Sequence, residues 1–164
     1  MKQLAKIAVS LITLSSLTNA QQVFEYPADE PTFSITFPDD WSVESEDGES
    51  LSAAPEDELV AVELVALEAV EAGAAIAEAK KSFGELFETL EVDEIQEGEV
   101  GNMDVKLFNA KGTDEEEDTY NINCALFAPK GGETYFMLFF VGSPEGSEKH
   151  AEVLSGILQS MKSE

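Results

Sequence analysis

Runs of alternating apolar and polar residues along the chain predict an antiparallel β-sheet. The first clear run, Phe33–Phe37, has the two-residue period of a half-buried strand and ends at Pro38-Asp39-Asp40. Because the alternation resumes at Trp41 and continues to Ser45, we expect segments 33–37 and 41–45 to form a hairpin-like pair of strands. Further strand patterns follow along the chain, at Ser50–Ala54, Leu59–Leu67, Ile95–Val100, Met103–Lys111, Tyr120–Phe127 and Thr134–Val141.

Two segments change from the strand period to helical spacing. The segment Val70–Val92 predicts the longest helix, and a final helix is expected to begin near Ser147. The final helix should bury Leu154, Ile157, Leu158 and Met161, which are spaced i, i+3, i+4, i+7. The apolar positions of the longer helix are Ala72, Ala75, Ile76, Ala79, Phe83, Leu86, Phe87 and Leu90. Strands in the middle with helices covering one or both faces predict the α+β class.

The N-terminal residues have the pattern of a secretory signal peptide. Lys2 and Lys6 precede an apolar run at 7–17, and the small residues Thr18 and Ala20 occupy the usual cleavage positions. We therefore expect cleavage after Ala20 and a periplasmic or secreted product. A retained anchor is the alternative, which the short apolar run and the absence of a stop-transfer pattern disfavour.

Cleavage would leave 144 of the 164 residues, which is enough for one ordinary domain. Residues 21–32 are polar and contain two prolines, so we interpret them as an extended leader with a short strand at Val23–Tyr26. The expected domain organisation is therefore a signal peptide at 1–20, a leader at 21–32 and a single domain at 33–164.

The chain is strongly acidic. It has 34 Asp and Glu residues against 9 Lys and Arg residues, and removal of Lys2 and Lys6 takes the formal net charge from −25 to −27. Nucleic acid is excluded as a partner because phosphate binding needs clustered basic residues, and anionic membranes are disfavoured by the same repulsion. The acidity indicates either a solvated surface that keeps the protein soluble and monomeric, or capture of cations or a basic protein.

Candidate catalytic residues are few. Cys124 is the single cysteine and lies on the apolar side of a strand pattern, so we expect a buried, inert thiol and no internal disulfide. His150 is the single histidine, and its position beside Glu148 and Glu152 indicates a surface residue of the last helix. The sequence has no G-x-S-x-G or phosphate-loop motif, and one Cys with one His cannot build a Cys/His metal site. We therefore expect no catalytic residues and no cofactor.

The acidic run Asp114–Asp118 is the one local feature that could bind a metal. Asp114, Glu116 and Asp118 are weak candidate ligands for calcium, which prefers several carboxylate oxygens. The run departs from the calcium-loop motif because Thr119 stands where glycine is needed, so a solvated loop between two strands is the favoured interpretation. Trp41 is likewise interpreted as a core or hairpin residue rather than a binding residue.

Four segments together resemble the PsbP-like fold family. They are FSITFPDDW at 33–41, the long helix, YFMLFFVGSPEG at 135–146 and ILQSMK at 157–162. The resemblance implies an antiparallel sheet sandwiched by helices over roughly residues 33–162. It also implies a scaffold for protein contacts without catalysis, as in photosystem II extrinsic subunits and a Ran-binding import factor. Asp39-Asp40 depart from the glycine that often precedes the tryptophan, and none of the family's partner-binding or metal-contacting residues can be matched here.

These observations favour a non-catalytic binding or accessory protein of the cell envelope that acts through protein–protein contacts with an unknown partner, which could be basic. The alternatives are a carboxylate-based hydrolase, which would need paired carboxylates in a pocket, and a calcium-binding protein.

The acidity generates a first prediction. Because dense carboxylates repel one another in the folded state, the melting temperature should rise gradually with sodium chloride. Millimolar calcium should add little at about 0.5 M ionic strength, where the Debye length is only a few ångströms. Replacing Asp114, Glu116 and Asp118 with Asn, Gln and Asn should raise stability slightly or leave it unchanged. A large stabilisation by calcium at high salt, abolished by the three substitutions, would instead make the loop a metal site.

Overall fold

A computed structural model describes residues 21–46 and 50–163, and the predicted signal peptide at 1–20 lies outside the described residues. The helices are α1 (Ala72–Leu86), α2 (Pro144–Lys149) and α3 (Ala151–Ser160). The strands are β1 (Gln21–Tyr26), β2 (Phe33–Pro38), β3 (Ser42–Glu46), β4 (Ser50–Ala54), β5 (Val60–Ala66), β6 (Thr89–Val92), β7 (Gln96–Val100), β8 (Met103–Thr113), β9 (Thr119–Phe127), β10 (Phe136–Gly142) and β11 (Lys162–Ser163).

The strands form two sheets in which every pairing is antiparallel. The large sheet has the order β3-β4-β5-β10-β9-β8-β6, and β7 also pairs with β8. The small sheet has the order β1-β2-β11, so the two ends of the described chain pair with the same central strand. Helices pack on both faces of the large sheet, which confirms the α+β class and the predicted sandwich of helices and sheet.

One face of the large sheet is covered by the small sheet together with α3. Phe33 of β2 is fully buried, and its ring lies 5.0 Å from the rings of both Phe127 and Phe136. Phe127 and Phe136 are register partners on β9 and β10, so the small sheet is held over the middle of the large one. Aromatic contacts of this kind stabilise a core by about 0.5–1.5 kcal/mol beyond the area they bury.

The opposite face of the large sheet is covered by α1. Phe83 is fully buried there, with its ring 5.1 Å from Phe139 and 6.3 Å from Phe108. Cys124 lies in the same apolar cluster, as its strand pattern predicts. Burial raises the pKa of the Cys124 thiol, so the reactive thiolate is disfavoured.

The β7–β8 turn supports the C-terminal strand. Gly101 has φ +55°, and a Cβ at this position would lie 1.9 Å from the carbonyl oxygen of Met161. Glycine is required both for the left-handed backbone and for this close approach. Because Ser163 N–H also donates to the Gly101 carbonyl oxygen at 3.1 Å, the turn holds β11 in place beside β2.

The predicted hairpin between segments 33–37 and 41–45 is wrong. β2 pairs with β1 and β11 in the small sheet, whereas β3 pairs with β4 in the large sheet. A turn closed by Trp41 N–H and the Pro38 carbonyl oxygen carries the chain from one sheet to the other. Alternation indicates which side of a strand is buried but does not identify its neighbour, and that is why the sequence pattern misled.

The predicted helix at 70–92 is too long. α1 ends at Leu86, the next residue Phe87 is extended, and β6 then pairs with β8. Phe87 packs against the backbone of Gly112 on β8, where a Cβ would lie 2.5 Å from the Phe87 ring. The helix therefore ends where the Phe87 ring packs on the sheet.

The strand at the N-terminus and the last helix also differ from their predicted bounds. β1 begins at Gln21, two residues before the predicted strand, and Tyr26 is buried in the core. The final helix is divided into α2 and α3, and it begins at Pro144 rather than near Ser147. Ser143 caps α2 by accepting a hydrogen bond from Gly146 N–H at 3.0 Å, a serine-proline start signal that the sequence contains.

The two apolar residues Phe83 and Leu86 of α1 provide a test of this packing. Phe83→Ala should lower the free energy of unfolding by about 3–5 kcal/mol because it empties the contact between α1 and the sheet. Leu86 is 62% exposed, and Leu86→Ala should change stability by no more than about 0.5 kcal/mol. Urea unfolding followed by circular dichroism measures both. Equal losses in the two variants would contradict the observed orientation of α1, in which Phe83 faces the sheet and Leu86 faces solvent.

Candidate functional site

Two grooves flank helix α3, one on each side. Val153, Ile157 and Ser160 line the first groove, whereas Leu154 and Leu158 line the second. These two sets of positions lie on different faces of a helix with 3.6 residues per turn. α3 is therefore the shared wall between the grooves.

The first groove, here named the histidine groove, has a volume of about 1060 Å³. It lies between the β2–β3 turn, the β4–β5 turn and α3, and its polar groups include Asp57, Lys149 and His150. Trp41 forms part of its wall and is only 5% exposed, as predicted for a core tryptophan.

His150 lies at the junction of α2 and α3 and is not the surface helix residue that the sequence predicts. Only 13% of its side chain is exposed, and its ring makes an edge-to-face contact with Trp41 at 6.0 Å. Its Nε2 lies 3.0 Å from Oδ2 and 3.1 Å from Oδ1 of Asp57.

Asp57 joins two separate parts of the chain at this groove. Lys149 Nζ donates to its Oδ2 at 2.6 Å, Leu59 N–H donates to its Oδ1 at 3.1 Å, and His150 contacts both oxygens. The Lys149 ammonium, the Leu59 amide and His150 together hold the pKa of the Asp57 carboxyl well below its usual range. Asp57 therefore clamps the β4–β5 turn to the α2–α3 junction.

The hydrogen bonds of the histidine groove connect elements of the fold to one another. A histidine oriented by a carboxylate needs a nucleophile or a substrate proton within hydrogen-bond reach. Ser160 is the hydroxyl on α3 in this groove, but it donates to the Ile157 carbonyl oxygen at 2.6 Å and accepts from Thr36 N–H at 2.8 Å. Within residues 21–46 and 50–163, no hydroxyl or thiol side chain is hydrogen-bonded to His150.

The second groove, here named the asparagine groove, has a volume of about 950 Å³. Its floor is the face of β8, β9 and β10 that α3 leaves uncovered, and its walls are α2 with α3 and the segment after β6. Asn109 and Asn123 are register partners in the floor, and Asn123 Nδ2 donates to Asn109 Oδ1 at 2.7 Å. The sequence pattern placed Asn121 and Asn123 on the polar side of their strand and so missed that this side lines a groove.

The candidate calcium ligands lie in the β8–β9 turn, away from both grooves. Asp114 Oδ1 accepts hydrogen bonds from Glu116 N–H and Asp118 N–H, each at 3.0 Å, and so shapes the turn itself. Its carboxylate also raises the pKa of the Tyr120 hydroxyl. In the part of the chain that the structure describes, no group of three or more Asp, Glu, His or Cys residues is arranged to hold a metal. The solvated loop stays the favoured prediction, with Asp114, Glu116 and Asp118 as weak candidate calcium ligands.

The Asp57 clamp generates a pH prediction. A carboxyl whose folded-state pKa is depressed stabilises the fold above its unfolded pKa of about 3.9, and this contribution declines as the pH falls toward the folded-state pKa. Asp57→Asn should therefore lower the melting temperature between pH 6 and 8, and the difference from the unmodified protein should shrink below about pH 4. Glu56→Gln removes a neighbouring carboxylate as a control. A pH-independent difference for Asp57→Asn would contradict the clamp.

Comparisons with known proteins show the fold. No protein-family model matches the sequence, and no curated protein sequence matches it. The solved structure of cyanobacterial PsbP (CyanoP) from Synechocystis sp. PCC 6803 is similar, with a TM-score of 0.64 and 8% identity over 92% of this chain and 96% of that chain.

Three further structures share the architecture. LpqN, involved in cell envelope biogenesis of Mycobacterium tuberculosis, has a TM-score of 0.55 and 9% identity over 88% of this chain and 92% of that chain. The Saccharomyces cerevisiae Ran-binding protein Mog1p has a TM-score of 0.56 and 9% identity over 88% of this chain and 95% of that chain. A Bacteroides thetaiotaomicron chain is 18% identical over 87% of this chain with a TM-score of 0.57, but this chain spans only 48% of it. The sheet order, the helices on both faces and these likenesses establish that the chain has the PsbP-like fold.

Proposed function

We propose that this chain is an exported, non-catalytic binding or accessory protein of the cell envelope, and that it acts through contacts with a basic protein partner. The main observation that supports this proposal is the distribution of charge. In the described part of the chain the buried residues are apolar, with no charged side chain among them. The excess of carboxylates over lysines therefore lies on the surface, where it attracts a positively charged partner.

Several lysines are already paired with carboxylates of the same chain. Lys81 lies 3.9 Å from Glu85, Lys106 pairs with Glu97, and Lys149 is held by Asp57. The contact with Lys106 lowers the pKa of Glu97, as expected for a carboxylate beside an ammonium. These pairs neutralise part of the small positive charge, so the surface field is dominated by unpaired carboxylates.

The fold and the N-terminal pattern support the same proposal. Proteins with this fold include a Ran-binding protein and a protein involved in cell envelope biogenesis, so the scaffold is compatible with protein contacts in an envelope setting. The run of residues 1–20 has the composition of a signal peptide, which favours export. None of the described helices is long and apolar enough to cross a membrane.

The test uses the protein isolated from its native host, whose N-terminus should begin at Gln21 by mass spectrometry. Immobilised on resin, it should capture a basic protein from envelope extract at about 0.05 M salt and lose most of it at about 0.5 M, where surface charges are screened. Bovine serum albumin on resin, another acidic protein, controls for unspecific charge. An intact Met1 on a cytoplasmic protein, or a captured partner that is acidic and insensitive to salt, would contradict the proposal.

A further inference from the structure

We infer that the asparagine groove is the contact site for the basic partner, and that it binds an apolar segment of that protein that carries lysine or arginine. The inference rests on the proposed function and deepens it by naming the surface and the chemistry of the bound segment.

The apolar part of the site is its floor and one wall. Leu107 of β8 and Leu158 of α3 are half-buried at the edge of the core, and Phe140 lies beneath them. The volume of about 950 Å³ falls at the upper end of the range of about 300–1000 Å³ that is usual for ligand pockets. Apolar side chains of a partner would remove the two leucines from water, which is the main source of binding energy at the centre of an interface.

The charged part of the site is its rim. Asp93 and Glu94 lie on the segment after β6, and Glu148 lies on α2, so carboxylates occur on more than one wall of the groove. Lys111 is the one basic residue among the lining residues that the structure describes. The rim therefore carries a net negative charge around a floor that includes the apolar residues Leu107 and Phe140. This arrangement complements a segment with apolar residues between basic ones.

The asparagine pair adds hydrogen-bonding capacity to the floor. The side-chain amide nitrogen of Asn123 (Nδ2) donates to the side-chain oxygen of Asn109 (Oδ1) at 2.7 Å. In the described part of the chain, the side-chain nitrogen of Asn109 (Nδ2) and the side-chain oxygen of Asn123 (Oδ1) make no hydrogen bond to another residue. The pair thus offers both a donor and an acceptor, the combination that an extended peptide backbone requires.

The two flanks of α3 differ in how far their polar groups are already used. Gln21, the first residue of β1, lines the histidine groove and pairs with Pro38. In that groove, His150, Lys149 and Ser160 already have partners within the fold. Asp39, Asp40 and Glu56 give the histidine groove carboxylates of its own. The asparagine groove differs because it combines rim carboxylates with half-buried leucines and with side-chain amide groups that are not fully used within the described chain.

The experiment uses the ¹⁵N-labelled protein and a short peptide that alternates leucine and lysine. Amide shifts on peptide addition should concentrate at Asn109, Asn123 and Ser155, whereas the Trp41 indole signal, which reports on the histidine groove, should stay fixed. A peptide with serine in place of lysine should bind at least about tenfold more weakly, because it lacks the charge that complements the rim.

Two variants with the same charge change locate the site. Glu148→Lys reverses a rim charge and should weaken peptide binding about tenfold. Glu85→Lys makes the same reversal on α1, on the opposite face of the large sheet, and should weaken it less than about twofold. Both residues are exposed, so both variants should fold, and circular dichroism confirms this before titration.

The outcomes separate the two proposals. Shifts spread evenly over the surface, including Asp114–Asp118, or equal weakening by both variants would overturn the groove as the site while charge-driven binding stands. Equal binding of the serine peptide would overturn the requirement for a basic segment. If no basic peptide binds and the captured envelope partner is insensitive to salt, the proposed function itself fails.

Discussion

The packing of Phe33 between Phe127 and Phe136 is the contact on which the rest of the structure depends. It holds the small sheet over the middle of the large sheet, with ring separations of 5.0 Å to each partner. α3 packs against β2 of that small sheet, so the place of α3 is set by where Phe33 docks. Because α3 is the wall between the two grooves, the same aromatic contact determines the shape of both.

The strand pattern predicts much of the fold, and the deviations have identifiable causes. Ser50–Ala54 is a strand with the predicted bounds, and the strands predicted at 95–100 and 103–111 form β7 and β8, which pair as a hairpin around Gly101-Asn102. Alternation was sufficient there because local turn residues also fixed the partner strand. It was insufficient for β2 and β3, whose neighbours are distant in sequence, and at Phe87, where a tertiary contact with Gly112 overrides helical spacing.

The candidate sites could not be predicted in the same way. Asp57 and His150 are 93 residues apart, and nothing in their local sequence indicates that they meet. The asparagine pair did have a local signal, since two asparagines interrupt an otherwise apolar strand at 121–127. That signal indicates a polar face but not whether the face meets bulk water or a groove, because the answer depends on where α2 and α3 lie.

The two flanks of α3 differ in how their polar groups are used, and this difference bears on function. On the histidine side, Asp57 is bonded to Lys149 and His150, and Ser160 accepts from Thr36 N–H, so these side chains hold elements of the fold together. A ligand of these bonded groups would have to break bonds that stabilise the fold. On the asparagine side, rim carboxylates and part of the amide pair are unengaged within the described chain. A partner can add contacts there without opening the fold, and so binding is favoured on that flank.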